Sequence, residues 1–579
     1  MMKINRKINR GIMACVMISS LLSACTEFET NDIVVDKPQS IIDQEVLDGY
    51  VKLKTAVDNA SQPNFKLGVE LTINDIINNG VFYRLMQTHF DQAALSINHM
   101  DFVGTDGVVA LGNLPLALDT NKAVGMGAYA GNLVWHEKQQ AAYLNSLIAD
   151  IPVPGQILND VVADFNTDAL GKVYPTTSAA IRATVVADPD GRSGNALRIL
   201  RNTGGNNYPQ ILVTLPVGRT LGQYSSVSID FKGAGCCGLF GGGMQLGIST
   251  QLGTPANIKG YGGPSSFGVA DNVWGRGTIN LSLSNLNLTT AEKALTTFYV
   301  TIGSNTGAPD YLLDNLTLKG VILAPPIVKT PEEKRTIITA ELRKWIKAVG
   351  EAGKDKVQSW GVVYQPMDET TPANLRSGVS INPKPANVFY WQDYLGKDYA
   401  AVAIGMLKQY ANPTDKIFFT ETNLVDNPAK IQGLKDFITY TAGKGGQVDG
   451  IATELALNID ADKGKIEAML QSLATSGKLI KIRALDIGTG GTTPNATPAL
   501  YQQQAEMYKW FVKAYFTKIP AAQRAGITFK SAIDRASGDS WRGNEPVGLW
   551  TNVKSGSTVN VGIQRKPAYL GVLEALQGK

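Results

Sequence analysis

Cysteine and histidine are scarce in this chain, with four of the first and three of the second among 579 residues. Cys15 and Cys25 fall near the N-terminus. Cys236 and Cys237 are adjacent, so a disulfide between them would be strained, and no second pair exists to build a zinc site. Both read as small residues in a glycine-rich strand region. His89, His99 and His136 are scattered, and neither HxH nor HExxH occurs, so no metal site is expected. Long apolar runs are missing as well: the stretch Gly11 to Leu22 is too short to cross a bilayer. Excess charge is also absent. The formal charge of +4 comes from Lys3, Arg6, Lys7 and Arg10, and the rest carries 50 bases and 50 acids. No nucleic-acid footprint follows.

What is present is a globular composition, 44% hydrophobic and 18% charged, on a chain long enough for two or more domains. Residues 1–24 read as a secretory signal: basic start, apolar run, small residues. It ends in Leu22-Ser23-Ala24-Cys25, which resembles the bacterial lipobox, with Cys25 as the lipidated first residue of the mature chain. The alternative is an ordinary signal with an incidental cysteine. The acidic Thr26-Glu27-Phe28-Glu29 resembles the surface-export signal of Bacteroidetes lipoproteins. Together these imply an outer-membrane, cell-surface lipoprotein, with 25–45 as a polar, irregular tether.

The stretch VQSWGVVYQPMDE, Val357 to Glu369, organises the rest. Its apolar run stops at Tyr364 and Gln365 and is broken by Pro366, as in a buried parallel strand that ends in two polar side chains. Similar segments are Leu67–Thr72, Ala94–Met100, Gly127–Trp135, Asp415–Thr422, Gly450–Asn458, Lys481–Gly488 and Gly526–Ile533. Helical periods lie between them, such as Pro331–Val349 and Leu500–Phe516. Eight such units make an α/β fold, a (β/α)8 TIM barrel, whose chemistry sits at the C-terminal strand ends. Over 200 residues separate the third and fourth strands. Within them, 155–324 alternates apolar and polar residues among Gly, Asn and Thr turns, the pattern of an all-β sandwich or jelly roll. The expected domains are therefore barrel at 46–154 and 325–579, with an insert at 155–324.

Several motifs resemble glycoside hydrolase family 10, the endo-1,4-beta-xylanases. That family's fourth strand reads W-D-V-V-N-E, ending in the general acid/base. Here Gly361, Tyr364 and Gln365 stand at its Asp, Asn and Glu. Its seventh strand, I-T-E-L-D-I, carries the nucleophile, where this chain has Ala484 ahead of a matching Asp486. Its third strand, H-T-L-V-W-H, reads Gly131-Asn132-Leu133-Val134-Trp135-His136. Its second-strand E-N-x-M-K reads Ile97-Asn98-His99-Met100-Asp101, keeping Asn98 and turning a sugar-gripping Lys into Asp101. The sixth-strand His that orients the nucleophile is Ala456, and the eighth-strand Trp over the site is Lys530. Trp541 and Lys566-Pro567-Ala568-Tyr569 match the family ending. Scaffold positions match and chemical positions do not. Retaining glycosidases need two carboxyls ~5 Å apart, so the resemblance implies a degenerate site with no catalytic residue.

Glu454 is the fallback carboxylate, ahead of Asp368, Glu369, Glu421 and Asp101. Asn98, Trp135, His136, Tyr364, Gln365 and Trp541 are the candidate carbohydrate-binding residues of the barrel. Tyr208 and Trp274 are those of the insert, near Tyr261 and Phe267. The insert resembles carbohydrate-binding modules, and Asp314 in its closing strand could ligand a structural Ca²⁺ as related modules do. No other cofactor is expected. The leading expectation is a surface glycan-binding protein for xylan or a related β-linked plant polysaccharide, beside uptake proteins. Its rivals are a hydrolase with relocated carboxylates and a protein-interaction scaffold.

Overall fold

The computed structural model describes residues 39–579 apart from 177–180, 189–193, 202–209, 234–244, 253–258, 260–277, 304–309, 493–494, 535–541, 543–544 and 556–558. Two compact units result, 1–149 with 330–579, and 150–329.

The first unit is a closed, all-parallel eight-stranded barrel. Its strands in order are Lys66–Glu70, Gln92–Ser96, Gly127–Gly131, Val357–Tyr364, Lys416–Glu421, Gly450–Asn458, Leu479–Gly488 and Arg524–Phe529. The fourth strand is buried along most of its length, which is why it reads as a continuous apolar run. The helix before it, Pro331–Gly353, starts with a capping box: the Thr330 side chain accepts from Glu333 N–H, and the Glu333 carboxylate takes the Thr330 N–H at 2.7 Å. It buries Ile338, Leu342, Trp345, Ile346 and Val349, one stripe at helical spacing. The Trp345 indole N–H donates to Leu133 O at 2.9 Å, tying this helix to the segment after the third strand. At Gly353 a Cβ would sit 2.4 Å from the Trp360 ring, so only glycine lets the helix end close against the strand.

Several boundaries differ from the sequence expectation. The second strand stops at Ser96 because His99–Phe102 turns into a helix that packs His99 against Trp345 and Trp391. The third stops at Gly131, after which only Val134 bridges to Val363. Part of the supposed irregular tether, Gln39–Asp48, is a helix with Gln39–Asp43 and Gln44–Asp48 side-chain bonds one turn apart.

The second unit is a β-sandwich. One sheet holds Gln245–Ser249, Thr297–Gly303 and Gln210–Thr214. The other is built around the long strand Asp310–Ile322, which pairs with Gln156–Ala163, Asn195–Arg201 and Tyr224–Gly233. Val227, Ile229 and Leu313 of one sheet share a core with Ile211, Val213, Val300 and Ile302 of the other.

Candidate functional site

At the end of the fourth strand the backbone of Gln365 enters the left-handed region, φ +50°, and its N–H donates to Thr420 O at 2.8 Å. That kink aims the side chain into the barrel mouth. An indole N–H can only donate, so Oε1 faces Trp135 Nε1 at 3.0 Å, and Nε2 donates to Thr422 Oγ1 at 2.9 Å. The amide is engaged at both ends and has no proton to give a leaving oxygen.

The seventh strand bulges. Thr453 lies opposite Ile482 and Glu454 opposite Ala484, so Arg483 is the extra residue. Ala484 then faces the same cleft as Gln365, while Arg483 points into the barrel and is nearly fully buried. Arg483 Nη1 pairs with Glu454, its Nη2 donates to Ser96 Oγ at 2.6 Å, and Glu70 lies 3.8 Å away. Burial opposes this charge, but Glu454 and Glu70 outweigh it and raise the guanidinium pKa. The Tyr364 hydroxyl bonds to Glu454 as well, and burial, then the Glu454 charge, drive its pKa up. Glu454, in register with Ala484, is thus a cleft carboxylate held in an ion pair.

The glycines beside this cluster are the spaces it fills. A Cβ on Gly131 would stand 3.5 Å from Arg483 Nε and 3.2 Å from the Tyr129 ring; one on Gly361 would stand 2.6 Å from Tyr129 Oη. Below, Lys481 is buried, donating to Gln92 Oε1 at 2.8 Å, and burial, then Arg483, lower its pKa to about 7.

The cleft holds about 820 Å³. Trp135, Tyr364, Gln365 and Ala484 line its centre; Thr422, Asn423, Asp426, Asn427, Asn458, Asp460 and Lys530 line its walls. Amides, acids and the half-buried indole of Trp135 suit a polyhydroxylated ligand. The other acids do different work. Glu421 is buried, accepts from Met367 N and Thr422 N at 2.9 Å each, and pairs with buried Lys430 at 3.2 Å. Glu369 pairs with Lys430 and Arg376, and Asp368 caps Thr370 and Thr371. Asp486 is buried under Ser531, whose N–H and hydroxyl donate to it.

Of the barrel residues expected to bind sugar, the structure brings Trp135, Tyr364 and Gln365 together. His136 lies buried, stacked on Tyr390, and burial, then Arg376 and Lys430, lower its pKa to about 3. Asn98 is half-buried and engaged locally: Nδ2 donates to Asp101 at 2.8 Å and Oδ1 accepts from Asn132 at 3.3 Å. Trp541, Tyr208, Trp274 and Cys25 lie outside the described residues, as do Tyr261 and Phe267. Asp314 Oδ1 accepts the Asn315 N–H, and Asn315 Nδ2 donates to Asp230. Among the described residues no group of three or more His, Cys, Asp or Glu is placed to hold a metal, and no helix is long and apolar enough to cross a membrane. Sequence reasoning missed Arg483, Glu70 and Ser96. The available signal was Lys481 and Arg483 two apart in a buried strand, which puts both charges inside the barrel.

Residues 323–575 match the family model described as Glycosyl hydrolase family 10. Endo-1,4-beta-xylanase A of Cellvibrio japonicus (strain Ueda107) is 27% identical over 345 residues, 54% of this chain and 54% of the relative. Endo-1,4-beta-xylanase A of Thermoanaerobacterium saccharolyticum is 27% identical over 195 residues, 32% of this chain and 16% of the relative. The chain therefore spans about half, or less, of the length of these curated relatives. Among solved structures, xylanase B from Clostridium stercorarium F9 aligns with a TM-score of 0.49 at 13% identity, covering 91% of this chain and 100% of that one.

Proposed function

We propose that this chain, a glycosyl hydrolase family 10 xylanase-like scaffold in its barrel, binds xylan or a related β-linked plant glycan without cutting it. The observation that carries the reading is a cleft faced by Gln365 and Ala484, in which Glu454, in register with Ala484, is paired to Arg483. Double displacement needs a proton donor and a carboxylate nucleophile about 5 Å apart. An amide bonded at both ends and a methyl group provide neither. The indole face of Trp135 and the amide-rich walls remain able to hold sugar rings.

Calorimetric titration with xylan, glucomannan and mixed-linkage glucan, beside a reducing-end assay on the same panel, tests this. Binding to at least one glycan with no release of reducing ends is the expected result. Release abolished by Glu454→Ala would replace the binding reading with that of a hydrolase using a relocated carboxylate. The N-terminal pattern supports the further proposal that Cys25 is acylated and holds the protein on the outer cell surface near uptake proteins. Loss of radiolabelled palmitate from a Cys25→Ala variant checks it.

A further inference from the structure

We infer that the cleft grips a glycan with one half only, the side formed by the fourth to seventh strands, and that the Arg483–Glu454 pair is the wall on which the bound segment ends. The inference rests on the binding reading and deepens it: the ligand is a short β-linked xylo-oligosaccharide, or the end of a longer chain.

The lining of the cleft is asymmetric. Its described residues come from the C-terminal ends of the fourth, fifth, sixth and seventh strands and the segments after them, with Trp135 from the segment after the third strand and Lys530 from the end of the eighth. None comes from the first or second strand. On that side Asn98 and Ser96 are engaged by neighbouring side chains: Asn98 is held between Asp101 and Asn132, and Ser96 Oγ accepts from Arg483. The room that a side chain at 131 would need is taken up beside Arg483 Nε and Tyr129. A sugar advancing past Ala484 would meet a buried guanidinium already neutralised by Glu454, and Tyr364 bonded to that carboxylate. Displacing that set would uncover a buried ion pair, which is costly. On the open side, Asn427 and Asp460 stand in the cleft wall with solvent access.

Titration of the full chain with a ladder from xylobiose to xylohexaose tests this. Affinity should rise with length and level off before the hexamer, because a one-sided cleft seats only part of such a chain. Asn427→Ala with Asp460→Ala should weaken binding about tenfold, the loss of roughly two net hydrogen bonds. Asp101→Lys restores a cation on the closed side and should leave affinity unchanged. Three results would each overturn the inference: affinity that keeps climbing to the hexamer, an Asp101→Lys variant that binds several-fold tighter, or wall substitutions without effect. Absence of heat at every length would instead sink the binding reading itself, and the inference with it.

Discussion

A carboxylate that cuts a glycosidic bond has to exchange a proton or attack carbon, and at residue scale the proposed binding reading turns on the amide of Gln365 and the methyl of Ala484. Changing Gln365→Glu and Ala484→Glu together places two carboxyls in the cleft. A glutamate at 484 would, however, stand in register with Glu454 and next to Arg483, which fills the space beside Gly131. The double variant is expected to show no hydrolysis of an aryl β-xylobioside; clear release of the phenol would show that the surrounding cluster is no obstacle. Lys481 offers a second residue-scale test. Its folded pKa, about 7, lies below the ordinary 10.5. The desolvation penalty is therefore absent above pH 10.5, grows as pH falls toward 7, and stays constant below. Lys481→Met removes a penalty of the order of 4 kcal/mol at pH 7, offset by about 1 kcal/mol for the lost Gln92 bond. The variant should unfold at higher urea than the parent at pH 7, and the gap should close by pH 10. A gap that is reversed or independent of pH would rule the account out.

Among elements, the loop after the fourth strand shows how the cleft wall is fixed. Burial raises the Glu421 pKa, and the Lys430 charge and two backbone N–H groups pull it back. The same carboxylate fastens Met367 on that loop to the fifth strand, and Lys430 reaches Glu369 at 2.7 Å. Removing one partner strands the other, so Lys430→Met should cost about 3 kcal/mol. Adding Glu421→Gln to it should recover most of that. Simple additivity of the two changes in urea unfolding would mean that the pair is not coupled. This network also marks how far reading the chain could go. The buried run of the fourth strand, ending at Tyr364 and Gln365, was legible because burial on both faces leaves no alternation to hide it. The helix after Thr330 was legible from its helical period, which does not itself reveal the capping box that starts it. The overrun of the second strand into Met100 was not, because the turn at His99 is set by Trp345 and Trp391 from distant elements. Nor was the role of Arg483, since a bulge is a property of register between strands. Glu454 lines the cleft, and its partner Arg483 is not visible from its own strand.

At the scale of the whole molecule, an insert of this size is compatible with a closed barrel because it begins and ends at one place. Ile151 and Ile327 exchange two backbone hydrogen bonds, at 3.0 and 2.9 Å, just inside the boundaries of the second unit. Each unit also has a hydrophobic core drawn from its own strands and helices. A barrel whose residues 150–329 are replaced by a short Gly/Ser linker should therefore fold, since the linker bridges neighbouring ends and the loop-closure cost changes slowly with length. Residues 150–329 should likewise unfold cooperatively alone, and the full chain should show two calorimetric transitions. The same two pieces separate the possible seats of binding. With the cleft as the principal site, the insert-free barrel keeps the affinity of the full chain for xylo-oligosaccharides within about threefold, and Trp135→Ala removes it. Aromatics of the insert could add grip on long polymers through linked sites, raising affinity for xylan without affecting that for a trimer. If the insert alone binds the trimer while the barrel does not, the cleft is a relic, and sugar recognition has moved wholly into the β-sandwich.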